Sequence, residues 1–149
     1  MEITIDEWLV HYISDPQRCE MAFKFLDKVF RKCDKFVTIN DKGLMQKIYQ
    51  MSRDSANWEP ASRRIAKYFF ASFMVNSSKF HRLDPSTINQ LPDDLRQQIP
   101  NDDIYLVETA MNTEAKFILT TDGRLKERLS GWKDLNIQLV DEFLQEYDC

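Results

Sequence analysis

Short apolar runs alternate along this chain with stretches of helical periodicity, and that alternation constrains the fold more than any other feature. Ile3-Thr4-Ile5-Asp6 reads as a strand, with a helix expected over 7–13. A helix started by Asp15-Pro16 follows, in which Met21, Phe23, Phe25, Leu26, Val29 and Phe30 recur at three- and four-residue spacing and so mark one buried face. The β-branched run Lys35-Phe36-Val37-Thr38-Ile39-Asn40 gives a second strand, and 44–51 a helix aligned on Leu44, Ile48 and Met51. Residues 60–75 read as one apolar core helix and 79–83 as a third strand ended by Asp84-Pro85. Short helices are expected at 92–99 and 102–112, a strand at 116–121 broken by Asp122-Gly123, a charged helix at 124–129, a strand at 136–140 and a terminal helix at 142–147. Strands separated by helices need crossover connections. The expected fold is therefore α/β: a three-layer α/β/α sandwich whose mostly parallel sheet has four to five strands. At 149 residues the chain suits one domain, 1–149.

In such sheets ligands collect at the carboxyl ends of the strands. Three aspartates fall at or near such ends: Asp6 closes the first strand, Asp122 the fourth, and Asp103 opens the helix Asp103-Ile104-Tyr105-Leu106-Val107-Glu108-Thr109-Ala110. Carboxylates gathered on one rim repel one another unless a divalent cation neutralises them, and metal-held carboxylates can hydrolyse phosphodiesters. Taken singly, each aspartate is more often a helix cap or turn residue, because Asp accepts hydrogen bonds from first-turn N–H groups.

Composition removes competing chemistries. With three glycines in the chain, no glycine-rich phosphate loop is present, and neither G-x-G-x-x-G nor G-x-S-x-G occurs. Cys19, Cys33 and Cys149 are odd in number and lack a C-x-x-C pair, so they read as idle thiols. His11 and His81 stand too far apart to suggest a zinc site. No apolar stretch approaches the ~20 residues that span a bilayer and the start lacks a signal-peptide pattern, so a cytoplasmic protein without membrane contact is expected. A net charge of −4 argues against a general polyanion binder. Two basic groups stand out locally: Lys24, Lys28, Arg31, Lys32 and Lys35, and Arg53, Arg63, Arg64 and Lys67 beside Trp58. A solvated helix face is their commoner meaning, and a guide for nucleic acid the alternative.

Taken together, Ile3-Thr4-Ile5-Asp6 followed by Leu9-Val10, the aspartate-led helix at Asp103, and Lys116-Phe117-Ile118-Leu119-Thr120-Thr121-Asp122 resemble the PIN domain, the nuclease fold of VapC-like toxins and RNA-processing factors. The resemblance covers most of the chain, with 56–100 matching only in outline. It implies that Asp6, Asp103 and Asp122 hold one or two Mg²⁺ or Mn²⁺ ions, and that Thr121 orients a water or a phosphate oxygen. The implied activity is cleavage of single-stranded RNA to a 5′-phosphate and a 3′-hydroxyl. A homodimer, and an antitoxin or other protein partner, are implied as well. One position departs from the pattern: where the family carries a glutamate early in the helix after the second strand, this chain has Gln46. Asp41 then stands as the substitute ligand and Glu108 as a weaker one, and a catalytically weakened RNA-binding or protein-interaction module is the alternative reading. A response-regulator receiver, which also places acids at strand ends, fits less well because no lysine follows the last firm strand at the place that fold needs one.

Overall fold

The computed structural model describes residues 1–40 and 43–147. Five parallel strands form one sheet: β1 (Glu2–Ile5), β2 (Lys35–Ile39), β3 (Phe80–Leu83), β4 (Phe117–Thr120) and β5 (Asn136–Leu139), in the order β3-β2-β1-β4-β5. Ile3 pairs with Phe36 on one side and Phe117 on the other, and Thr4 with Val37 and Ile118. Successive side chains on a strand point to opposite faces, so this register sorts the apolar residues into two cores. Ile3, Ile5, Phe36, Phe80, Phe117 and Leu119 line one face, and Ile118 and Ile137 belong to the other.

The first face is covered by α1 (Trp8–Ser14), α2 (Cys19–Arg31), α3 (Leu44–Asp54), α4 (Pro60–Phe69) and α8 (Val140–Glu146). The second is covered by α5 (Asp93–Arg96), α6 (Ile104–Met111) and α7 (Gly123–Arg128). The fold is therefore a three-layer α/β/α sandwich. From β1 the chain winds outward through β2 to β3, then crosses back to place β4 on the opposite side of β1. That reversal moves the connecting helices to the second face and opens a crevice between the carboxyl ends of β1 and β4.

Two elements differ from the sequence expectation. The helix expected over 60–75 ends at Phe69 and continues as a π-helical turn, Phe70–Met74. The wider turn lets Phe69 and Phe73 stack at 5.8 Å and 18°, while Phe73 stacks on Phe36 of the sheet at 5.2 Å. The second helix starts at Cys19 rather than at Pro16, whose segment forms the turn after α1. At the far end of α2, Lys79 caps the helix: its ammonium donates to the carbonyls of Val29 (2.9 Å), Asp34 (3.1 Å) and Lys32. Among the described residues no helix is long and apolar enough to cross a membrane.

Candidate functional site at the sheet crevice

The crevice between β1 and β4 is where this topology positions ligands, and the residues that end those strands are Asp6 and Asp122. Asp6 follows β1 directly. One oxygen of its carboxylate accepts the Glu7 backbone N–H at 2.7 Å and the Tyr105 hydroxyl, also at 2.7 Å. The turn that carries it is tied across the crevice by Trp8, whose indole N–H donates to the Leu119 carbonyl of β4 at 2.8 Å. This bond sets the position of Asp6 relative to the β4 terminus.

Asp122 is a helix cap, as its sequence context suggests. A single oxygen accepts the Arg124 and Leu125 N–H groups at 3.0 and 3.2 Å, which opens α7. Its own N–H donates to the buried Thr120 hydroxyl at 3.1 Å. Thr120, not Thr121, is thus the hydroxyl in contact with Asp122. Thr121 is exposed and lines the cleft beside it.

Asp103 behaves differently. It ends a 3-10 turn, Asn101–Asp103, immediately before α6, and makes no capping hydrogen bond to that helix. Its carboxyl is pushed up to about 6, first by burial and then by the negative charges of Asp6, Asp122, Asp102 and Glu7. The three aspartates therefore share one electrostatic field, although they line two adjoining clefts. Asp6 and Asp103 face a cleft of about 360 Å³ with Glu7, Gln46, Lys47 and Tyr105, and Asp122 and Thr121 line a neighbouring one of about 960 Å³. Gln46 lines the acidic cleft. Asp41 lies outside the described residues.

Oxygen donors from Asp and Glu suit a hard cation such as Mg²⁺ or Mn²⁺. In this conformation the donors are spread apart: among the described residues no three Asp, Glu, His or Cys side chains form a group placed to hold an ion. The donor chemistry and the field fit a divalent cation, whereas a closed ligand shell is not preformed.

Sequence reasoning missed Tyr105, Glu7, Asp102 and Lys47. Tyr105 stands two residues after Asp103, within the helix expected over 102–112, and its local sequence assigns it no role. Its hydroxyl is raised in pKa by burial and by the Asp6 charge and hydrogen bond, so it remains a donor to that carboxylate. Its ring lies against Gly43, whose φ of +44° belongs to glycine, and a Cβ there would sit 2.6 Å from the ring. Glu7 and Lys47 face each other at 4.0 Å across the same cleft.

Elsewhere the charged groups have local roles. On α2, Lys24 pairs with Glu20 at 3.5 Å and Arg31 with Asp27 at 3.1 Å, Lys28 donates to the Tyr147 carbonyl, and Lys32 lies over the Tyr147 ring. Much of the first basic group thus forms a solvated helix face. His81 pairs with Glu2 at 2.8 Å, Cys19 is buried and Cys33 exposed. Asp84 ends β3 at the sheet edge and caps the turn at Ser86, with β2 between it and β1. A receiver-type sheet orders its strands 2-1-3-4-5, which this sheet does not.

Fold and crevice define a doubly wound α/β domain with an acidic site at its switch point. Compared with known proteins, the chain matches no family model and no curated protein sequence.

Proposed function

We propose that the chain is a metal-dependent endoribonuclease of PIN-like type, cutting single-stranded RNA at the crevice between β1 and β4. The observation that carries this reading is Asp103, a half-buried carboxyl that caps nothing and is raised to about 6 in the field of Asp6 and Asp122. A carboxyl raised by burial and by the charges of nearby carboxylates points to a site with a use for negative charge. Asp6, Asp103 and Asp122 would hold Mg²⁺ or Mn²⁺, and a bound ion supplies Lewis acidity and a water of lowered pKa. The chain's own groups do the positioning. Tyr105 orients the Asp6 carboxylate, the α7 cap fixes Asp122, and the Thr121 hydroxyl is exposed beside it to donate to a phosphate oxygen.

Titration of the protein with Mn²⁺ and Mg²⁺, alongside incubation with a mixed single-stranded RNA, tests the proposal in wild type, Asp103→Asn and Asp122→Asn. Ion binding and cleavage present in wild type and lost in both variants is the expected result. Cleavage that survives in both variants would sink it.

Gln46 and Lys47 favour a second reading, because an amide and an ammonium line the acidic cleft where a stronger cation site would place another carboxylate. A silent module that binds RNA or protein would show neither cation binding nor cleavage in the same titration.

A further inference from the structure

The acidic cleft cannot hold a polyanion unaided. Among the described residues, Asp6, Glu7, Asp102 and Asp103 line it against the single cation Lys47, so a phosphate chain entering there is repelled. A strand that brings one phosphate to this cleft needs cations for the neighbouring ones. The adjoining cleft of about 960 Å³ offers one such cation, Arg124, which lines it with Lys126, Asp122 and Glu127.

We propose that this second cleft is the docking groove for the phosphate backbone of the single-stranded substrate, with Arg124 as its principal phosphate-binding side chain. The inference rests on the nuclease reading above. Among the cations that line the two clefts, Lys47 faces Glu7 at 4.0 Å and Lys126 pairs with Glu142 at 3.6 Å. Arg124 makes no ion pair among the described residues. Its planar guanidinium suits a phosphate in a bidentate contact, and its weak hydration lowers the cost of making one. Asp122 accepts the Arg124 N–H at 3.0 Å, which fixes the backbone of Arg124 two residues from the carboxylate. Asp122 also acts on Asp103, so a strand passing over it would present one phosphate to the acidic cleft and the next to Arg124. Thr121 adds an exposed hydroxyl. The Ser130 hydroxyl does not contribute a donor, because it already donates to the Glu127 carbonyl at 2.9 Å.

Steady-state cleavage of a single-stranded RNA in Mn²⁺, and binding of the same RNA across a salt series, would be compared in wild type, Arg124→Ala, Arg124→Glu and Arg124→Lys. Arg124 is exposed, so all four should share one circular-dichroism spectrum and melting temperature. KM should rise about tenfold in Arg124→Ala and further in Arg124→Glu with kcat within about twofold, and Arg124→Lys should recover most of the loss. The slope of log K against log salt should become shallower by about 0.7, one single-strand phosphate contact. Unchanged KM and slope in Arg124→Glu, with a wild type that cuts, would overturn the groove and leave the nuclease standing. A wild type that binds RNA without cutting would overturn the nuclease, and the Arg124 slopes would still decide the groove. A wild type that neither binds nor cuts RNA overturns both.

Discussion

Asp103 is a carboxylate whose surroundings work against the stability of the domain that carries it. Its folded-state carboxyl lies at about 6, against 3.8 in the unfolded chain. Between those values the folded state binds more protons than the unfolded one, so this group's contribution falls as pH rises through the window and is fully unfavourable above it. A shift of this size corresponds to about 3 kcal/mol at most, and solvent screening of a half-buried group reduces it to about 1–2 kcal/mol. Asp103→Asn should therefore stabilise the metal-free protein by about 1–2 kcal/mol at pH 7 and by little at pH 4, while abolishing cleavage. Urea unfolding of both proteins across that range, with a chelator present, checks the sign; an equal or lower stability of the variant at pH 7 would refute it. Tyr105 and Gly43 form the second residue-level device. Tyr105→Phe keeps the ring over Gly43 but removes the hydroxyl from Asp6, and loss of a hydrogen bond to a charged group should cost about 1.5–3 kcal/mol. Gly43→Ala combines a positive φ with a Cβ 2.6 Å from the Tyr105 ring and should cost about 2–4 kcal/mol, read as a lowered urea midpoint. The three aspartates were legible in sequence because each stands at the boundary of an apolar run. Tyr105 was not, since its role depends on a contact with Asp6 99 positions away.

At the level of elements, the strands were readable because each is a short apolar or β-branched run bounded by turn residues, and parallel pairing follows from the helices between them. The π-turn at Phe70–Met74 was not readable, because it answers to stacking against Phe36 and not to periodicity within its own segment. Basic residues on α2 illustrate the same limit of local reading. Their spacing shows the i,i+4 pairs with Glu20 and Asp27, but the contacts of Lys28 and Lys32 with Tyr147 come from the other end of the chain. Lys79 carries the clearest prediction at this scale. One ammonium satisfies three carbonyls at the end of α2 and joins that helix to the segment entering β3. Lys79→Met keeps the stem and removes all three bonds, leaving part-buried acceptors unpaired. The expected loss is about 2–3 kcal/mol, with amides of the last turn of α2 exchanging faster with deuterium than those of α6. Uniform exchange across both helices would show that the ammonium does not cap α2.

On the scale of the whole molecule, the strand order matters most, because a sheet wound outward and then back across its first strand leaves its crevice at β1 and β4. Sequence alone places Asp6 and Asp122 at strand ends but does not say that those strands are neighbours. Adjacency brings the two carboxylates to one crevice, and the β3-to-β4 crossover delivers Asp103 to it in the turn just ahead of α6. Charge is thus concentrated at one end of the domain, and the metal-free protein holds that end together against repulsion. Gln46 is the position at which the balance can be changed in a known direction, because its uncharged side chain lines the acidic cleft beside Lys47, while Leu44, Met45, Ile48 and Met51 of α3 pack into the core. Gln46→Glu adds a negative charge to a field that already raises Asp103. Without cation the variant should melt at a lower temperature than wild type at pH 7, and the difference should shrink as pH falls through 6. With cation the order should reverse: affinity for Mn²⁺ should rise about tenfold, roughly 1.4 kcal/mol, and ligand-linked stabilisation should restore or exceed the wild-type melting temperature. Melts with and without Mn²⁺, paired with calorimetric titration, separate these effects. A variant destabilised equally in both conditions, with unchanged Mn²⁺ affinity, would mean that repulsion in the crevice is not relieved by a bound cation, and the nuclease reading would give way to the silent module.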